Sequence, residues 1–349
     1  MLSGGDKVSW VNSVNKESMS DSLPTKLTLD QITTMCQRGF GCAAKLESVQ
    51  ELGGGTFNET YLVELAGKTR VILRVAPPPT ANVYWDDVAL MRREHHILPF
   101  FASIATLMPK IIMTDFTHQV VERDYMFQTC MEGERWSDIE DELTFDENTE
   151  LWHQCGQIVK RIHETTGEHF GYPYPGRQFT SWNEMILDRF ARISESMLAY
   201  QLEVTAFRTI SDIAHANAAR FDAIHTPHLL HGDLWTFNLL VTRGNNHPTI
   251  TGVLDVDRAW WGDPMADWIM FLLVIRRGEP EWQQWLSAFY DGYGLPASDE
   301  SAQFRQEVYR AMHIGTCAVG SARNGNKEDI ARARRELCEI AQALPLLSL

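Results

Sequence analysis

The repeat of the sequence changes part-way along the chain. Ala44 to Leu52, Phe57 to Leu65 and Lys68 to Val75 are short segments mixing apolar and β-branched residues, cut apart by Gly53-Gly54-Gly55 and by Ala66-Gly67. That punctuation is the signature of an antiparallel meander. A short amphipathic helix, Thr28 to Arg38 with Leu29, Ile32 and Met35 as its stripe, precedes the meander, and Pro77, Pro78 and Pro79 end it. Trp85 to Leu98 then reads as a helix with Val88, Met91, His95 and Leu98 on one side, and strands near Lys110–Asp115 and Asp124–Thr129 would complete a sheet of about five strands. Beyond Glu150 the pattern is helical: Leu151, Cys155, Ile158 or Val159 and Ile162 form one stripe, and Trp182 to Ile224 and Gln303 to Leu344 continue it. A chain so divided predicts an α+β fold. Its expected organisation is a flexible extension over residues 1–24, a small antiparallel sheet lobe over 25–130 and a larger, mainly helical lobe over 131–349.

Size and charge narrow the functional classes. At 349 residues the chain can bury a sizeable core in two lobes, and 44% apolar with 22% charged residues is ordinary globular composition. A net charge of -15 excludes nucleic acid and anionic membrane as the main partner, since both need a basic surface. The six cysteines are scattered, with no pair at metal-ligand or redox spacing, which predicts a reducing, cytoplasmic setting. The opening residues lack the apolar core of a signal peptide and no later stretch reaches membrane-span length, so a soluble protein is expected, starting at Met1 or Met19.

Chemistry concentrates in LLHGDLWTFNLLV, Leu229 to Val241, where His231, Asp233 and Asn238 interrupt an apolar run. Two short strand-like segments follow, Leu239–Thr242 and Ile250–Leu254, joined by a loop that opens Arg243-Gly244-Asn245-Asn246, and Asp255 ends the second. This gathers two carboxylates and an amide oxygen, hard ligands that suit Mg²⁺ completed by water and phosphate oxygens. Phosphoryl transfer needs in addition a phosphate cradle, a cation, an orienter for it and a base. Gly53 to Thr60, between two strands, lets backbone N–H groups approach phosphate. Arg74 ends the third strand, and Glu94, mid-helix in RREHH, can pair with it. Asp233 is then the base. Taken singly, a glycine turn and an Arg–Glu pair are ordinary structural features; the order and spacing of the whole set carry the reading.

HGDLWTFN, Leu254-Asp255 and GDPMADW together resemble the aminoglycoside phosphotransferase family, the small-molecule branch of the protein-kinase-like fold that includes choline, homoserine and fructosamine kinases. The resemblance runs from Leu46 to Trp268, about two thirds of the chain. It implies a two-lobe kinase-like fold and an ATP- and Mg²⁺-dependent kinase. In that reading Asp233 resembles the catalytic base, Asn238 and Asp255 the metal ligands, and Gly53, Gly54, Gly55, Thr56, Phe57 and Asn58 the nucleotide loop. His231 is similar to a scaffold histidine that orients the loop, and Asp267 to a buried aspartate that hydrogen-bonds the catalytic-loop backbone. Met126-Phe127-Gln128 resembles the strand before the crossing segment, so the backbone of Thr129 and Met131 would meet the adenine. The departure from the pattern is Arg74, where lysine is common; its planar fork keeps the charge and binds phosphate differently. Asp257 is a second candidate ligand, placed by strand alternation on the same side as Asp255, with a structural role equally open.

The expected acceptor is a hydroxylated small molecule, an antibiotic or metabolite. The acidic stretch Glu132–Glu150, nine carboxylates with a single Arg135, and the pair Trp260-Trp261 are candidates for holding a cationic or ring-bearing substrate, while solvated carboxylates and core tryptophans are the bland alternatives. The motifs distinguish neither aminoglycoside from macrolide, sugar or amino alcohol, nor ATP from GTP, nor an oligomeric state. Two other classes compete: a nucleotide-binding module without catalysis, and a metal-dependent hydrolase built on His228, His231, Asp233 and Asp255, which leaves the glycine loop unused.

Overall fold

A computed structural model of the chain describes residues 26–53, 58–78, 87–174, 176–244, 247–267, 269–270, 280–295 and 298–347. The extension over 1–24, the start of the helix expected from Trp85, and Asn245, Asn246 and Trp268 lie outside the described residues. In chain order the helices are α1 (Leu29–Phe40), α2 (Leu90–Ile97), α3 (Trp136–Ile139), α4 (Phe145–His163), α5 (Trp182–Ala199), α6 (Thr205–Ala216), α7 (Ala219–Asp222), α8 (Trp282–Tyr293), α9 (Glu300–Arg323) and α10 (Lys327–Ala343). The strands are β1 (Leu46–Glu51), β2 (Glu59–Leu65), β3 (Thr69–Val75), β4 (Ile111–Asp115), β5 (Tyr125–Thr129), β6 (Glu134–Arg135), β7 (Phe170–Gly171), β8 (Gln178–Phe179), β9 (His228–Leu230), β10 (Leu239–Arg243), β11 (Pro248–Val253) and β12 (Trp260–Gly262). None of the described helices is long and apolar enough to cross a membrane.

The chain divides into two compact units. The first joins the described residues between 22 and 151 to Thr236–Arg258, and the second joins Trp152–Trp235 to the described residues from Ala259 onward. The hairpin after the HGD motif therefore groups with the N-terminal sheet, although it lies beyond residue 131 in the sequence.

In the first unit, a five-stranded antiparallel sheet has the order β1-β2-β3-β5-β4. Alternation buries Tyr61, Val63 and Leu65 on β2 and Val71, Leu73 and Val75 on β3, and α1 covers them with Ile32, Met35 and Cys36. Leu29, expected on that stripe, is exposed; the inward face follows the 3.6-residue period through Ile32, Met35 and Cys36. Thr28 caps α1, its Oγ1 accepting from the Gln31 N–H at 3.2 Å while Gln31 Oε1 accepts from the Thr28 N–H at 2.8 Å. A second sheet has the order β11-β10-β6, pairing the hairpin with the strand just past the end of β5.

The expected stripe on the helix through Glu94 is also displaced. Val88 and His95 are exposed, Met91 is buried as expected, and Leu90, Arg93, Glu94 and Ile97 join it in the interior, after Ala89 in the left-handed region with φ +56°. Apolarity gave the inward face only in part because α2 buries two charged residues, Arg93 and Glu94.

The second unit is mainly helical around a small sheet of order β8-β7-β12-β9. α5, α9 and α10 begin at Ser181, Asp299 and Asn326, whose side chains accept from backbone N–H groups three residues on, at 3.2, 2.7 and 3.1 Å. α4 and α8 meet at two glycines. A Cβ on Gly156 would lie 2.1 Å from the Phe289 carbonyl oxygen, and one on Gly292 2.1 Å from that of His153. Only glycine permits that approach, which brings the last turn of α8 against the last turns of α4.

Candidate active site

In the sheet unit, Arg74 stands near the end of β3 and turns inward. Its Nη1 donates to both carboxylate oxygens of Glu94 at 2.7 Å, and its Nη2 donates to Asp255 Oδ1 at 2.6 Å. Asp257 Oδ2 lies 3.6 Å from the same Nη2. Arg74, Glu94 and Asp257 are buried, whereas the Asp255 side chain is 40% exposed and forms the open side of the cluster. Gln128 donates from Nε2 to Glu94 Oε1 at 3.2 Å, locking the glutamate from the other side.

Burial and the charges around the three carboxylates set their protonation. Burial pushes the Asp257 carboxyl well above its ordinary range, and the Asp255 charge pushes it the same way. Burial also raises Glu94, opposed by Arg74 and reinforced by Asp255. Asp255 goes the other way: desolvation would raise it, but the charges of Arg74 and Arg258 and a hydrogen bond from Asp257 outweigh that and lower it. Asp255 is thus the carboxylate that stays ionised and faces outward.

Asn238 and Asp255 flank one hairpin. Leu239 faces Val253 in the β10–β11 ladder, and the Leu254 N–H donates to the Asn238 carbonyl at 2.9 Å. Asp255 follows at φ +64°, a left-handed conformation that costs a side-chain-bearing residue about 1 kcal/mol or more. Asp257 sits in a 3₁₀ turn, Val256–Arg258. Strand alternation therefore does not place Asp257 beside Asp255; the tight turn does.

The nucleotide-loop candidates are only partly visible. Gly53 accepts from the Arg135 guanidinium at 3.4 Å and Asn58 leads into β2, while Gly54, Gly55, Thr56 and Phe57 lie outside the described residues. Arg135 also sits 4.2 Å over the ring of Phe237, the neighbour of Asn238. At the end of β5 the Thr129 N–H donates to the Lys110 carbonyl at 2.9 Å. Any contact of Thr129 with a purine edge would use its carbonyl. Met131 lies two residues on, its carbonyl 3.8 Å from the Cys130 thiol.

In the helical unit, His231 and Asp233 follow β9. Asp267, completely buried, accepts the N–H of His231 at 3.0 Å and that of Gly232 at 2.9 Å. The buried His231 ring turns back on its own loop, Nδ1 accepting the Asp233 N–H at 3.3 Å. Asp233 itself is half-buried. Burial alone would raise the Asp267 carboxyl, but hydrogen bonds from the His163 ring and the Gly232 amide hold it below its usual range.

The two acceptor-binding candidates fare differently from one another. Trp260 and Trp261 are both buried on β12: Trp260 stacks on Tyr172 at 6.0 Å with Arg189 5.2 Å over its ring, and Trp261 packs where a Cβ on Gly167 would lie 2.7 Å away. They are core rather than an open box for a cation. In the acidic stretch Glu142 and Glu134 pair with Arg243, at 2.5 and 3.5 Å, and Glu147 caps α4 through Thr144.

Sequence reasoning missed Gln128, His163 and Tyr293. Gln128 and Tyr293 sit in unremarkable apolar patterns, and His163 only ends a helical stripe.

Residues 48–305 match the profile of the phosphotransferase enzyme family. The chain belongs to this family. It is accordingly a phosphotransferase acting on a small molecule, as its motifs predict. Among solved structures, aminoglycoside phosphotransferase APH(4)-Ia superposes with a TM-score of 0.67 at 17% identity, covering 90% of this chain and 99% of that one. A thermostable mutant of it, in ternary complex with ADP and hygromycin B, gives 0.66 at 18%, covering 90% and 98%. The GDP and kanamycin complex of APH(2")-IIia gives 0.60 at 17%, covering 89% and 98%. At these identities the likeness establishes the fold, which is the expected kinase-like α+β architecture. No curated protein matches the sequence significantly.

Proposed function

We propose that this phosphotransferase moves the terminal phosphoryl group of ATP to a hydroxyl of a small molecule. The observation that carries the reading is the Arg74 guanidinium, held between helix-borne Glu94 and the ionised, outward-facing Asp255. Arg74, near the end of β3, the second strand after the glycine loop, is the phosphate-binding cation, and Glu94 with Gln128 orients it. Gly53 to Asn58 cradle the phosphates, and Thr129 and Met131 border the purine.

Glu94, Asp255 and Asp257 bring carboxylate oxygens within 4.8 Å of one another. Such hard oxygens fit Mg²⁺, and Asn238 and Asp255 would hold it. The bound ion would supply charge neutralisation on the phosphates. Asp233 takes the acceptor proton as the acceptor oxygen bonds to the γ-phosphorus and the bond to the β-phosphate oxygen breaks. His231 and Asp267 set the backbone that aims Asp233.

Two of the structural relatives were solved in complexes, one with ADP and hygromycin B and one with GDP and kanamycin. These support a purine nucleotide and a polyhydroxylated acceptor here. The six cysteines are unpaired thiols, which supports a cytoplasmic setting.

Nucleotide binding that depends on the metal tests the ligand assignment. With Mg·ATP at about one hundred times its Kd, the wild-type chain should gain about 2.7 kcal/mol of unfolding free energy. Asn238→Ala should lose most of the Mg²⁺-dependent part and keep the part seen with ATP and EDTA. An Asn238→Ala protein that responds to Mg²⁺ like wild type would remove Asn238 from the metal site.

A further inference from the structure

The catalytic-loop backbone is held by Asp267, and Asp267 is itself held from below. His163, the last residue of α4, points Nε2 at Asp267 Oδ2 at 2.8 Å, and its Nδ1 lies 2.9 Å from the Tyr293 hydroxyl at the end of α8. Both partners of this central contact are buried. The glycine contact between Gly156 and Gly292 lets α4 and α8 approach closely enough for Tyr293 to reach the ring.

The same residue is tied to the catalytic strand through its main chain. The His163 carbonyl accepts from His228 Nδ1 at 2.6 Å, Leu229 N–H donates to Thr165, and Gly167 N–H donates to Pro227, the last two at 2.8 Å. The end of α4 is therefore laced to the residues leading into His231-Gly232-Asp233.

Hydrogen-bond accounting fixes the proton. Asp267 accepts N–H groups at both oxygens and is ionised, so it can only accept, and His163 Nε2 must carry a hydrogen. Burial, with the charges of Asp267 and Asp263, raises the Tyr293 phenol and keeps it protonated. It is thus able to donate to Nδ1 and hold the ring in that tautomer.

We infer that Tyr293, His163 and Asp267 form a positioning relay, in which Tyr293 sets the His163 tautomer and His163 fixes the carboxylate that shapes the backbone under Asp233. The inference rests on the reading of Asp233 as the base, and extends it to two residues that act through Asp267.

The test is steady-state kinetics on the full chain, with a tautomer readout beside it. His163→Leu should lower kcat about 10- to 100-fold with KM for both substrates within about twofold, as expected when a base is mis-aimed and substrate binding is left intact. His163→Gln, whose amide N–H can reach Asp267, should recover to within about fivefold of wild type. Tyr293→Phe, which keeps the packing, should lower kcat without raising KM, and decides the matter if His163→Leu does not fold. In ¹⁵N-histidine spectra of the wild type, one ring should show a slowly exchanging Nε2–H that disappears in His163→Gln. Glutamine no better than leucine, an unchanged kcat in Tyr293→Phe, or a His163 ring protonated only at Nδ1 would overturn the relay. Asp233→Asn is run in parallel: if it is fully active the base assignment fails, and the tautomer readout, which needs no turnover, still decides His163.

Discussion

Asp233→Asn should bind Mg·ATP within about twofold of the wild-type affinity and lose kcat by about 100- to 10,000-fold, the usual contribution of a positioned general base. The substitution is isosteric and keeps the backbone bonds of the loop. The fixed bonds are the N–H groups of His231 and Gly232 to Asp267 and the Asp233 N–H to the His231 ring. Isothermal binding and turnover on the same preparation separate the two effects. A kcat within tenfold of wild type would remove Asp233 from the base role.

Arg74→Met should be the most destabilising single change at the site. It removes the cation from Glu94, Asp255 and Asp257, three carboxylates within a mostly buried cluster, and breaking a buried pair in this way costs about 3–5 kcal/mol. The loss should depend on pH. Burial already raises Glu94 and Asp257, and without Arg74 both rise further. A carboxyl with a raised folded pKa is protonated in the folded state at pH values where the unfolded chain has released the proton. Its contribution to stability is present at low pH and lost as pH rises through the folded pKa. The gap between variant and wild type should therefore narrow from pH 7 to pH 5 in denaturant melts. Equal stability at pH 7, or a gap that widens on acidification, would contradict this account of the cluster. Arg74→Lys should fall between the two, keeping the charge while losing the fork that spans Glu94 and Asp255.

What the sequence made legible follows the strength of local signals. β2, β3 and the β10–β11 hairpin were readable because their β-branched segments lie beside Gly or Pro. The functional set was readable because its order is hard to reach by accident. The inward face of α2 was readable only in part, since the fold buries Glu94 for Arg74 and leaves Val88 in water, and hydrophobic periodicity cannot anticipate a charge directed inward. Trp260 and Trp261 looked available beside the motif, yet tertiary packing against Tyr172 and Gly167 closes over them. His163 and Tyr293 are 130 residues apart and meet only because two glycines let two helices touch. No local pattern encodes such a meeting.

Transfer itself is the central claim. Wild-type protein, ATP and Mg²⁺ incubated with a panel of aminoglycosides, macrolides, sugars and amino alcohols should give one acceptor class a mass gain of one phosphate, with matching ADP release. Asp233→Asn should give none on the same acceptor. Tight Mg·ATP binding with no phosphorylated product across the panel and no ADP release would contradict the claim and favour a nucleotide-binding module without catalysis.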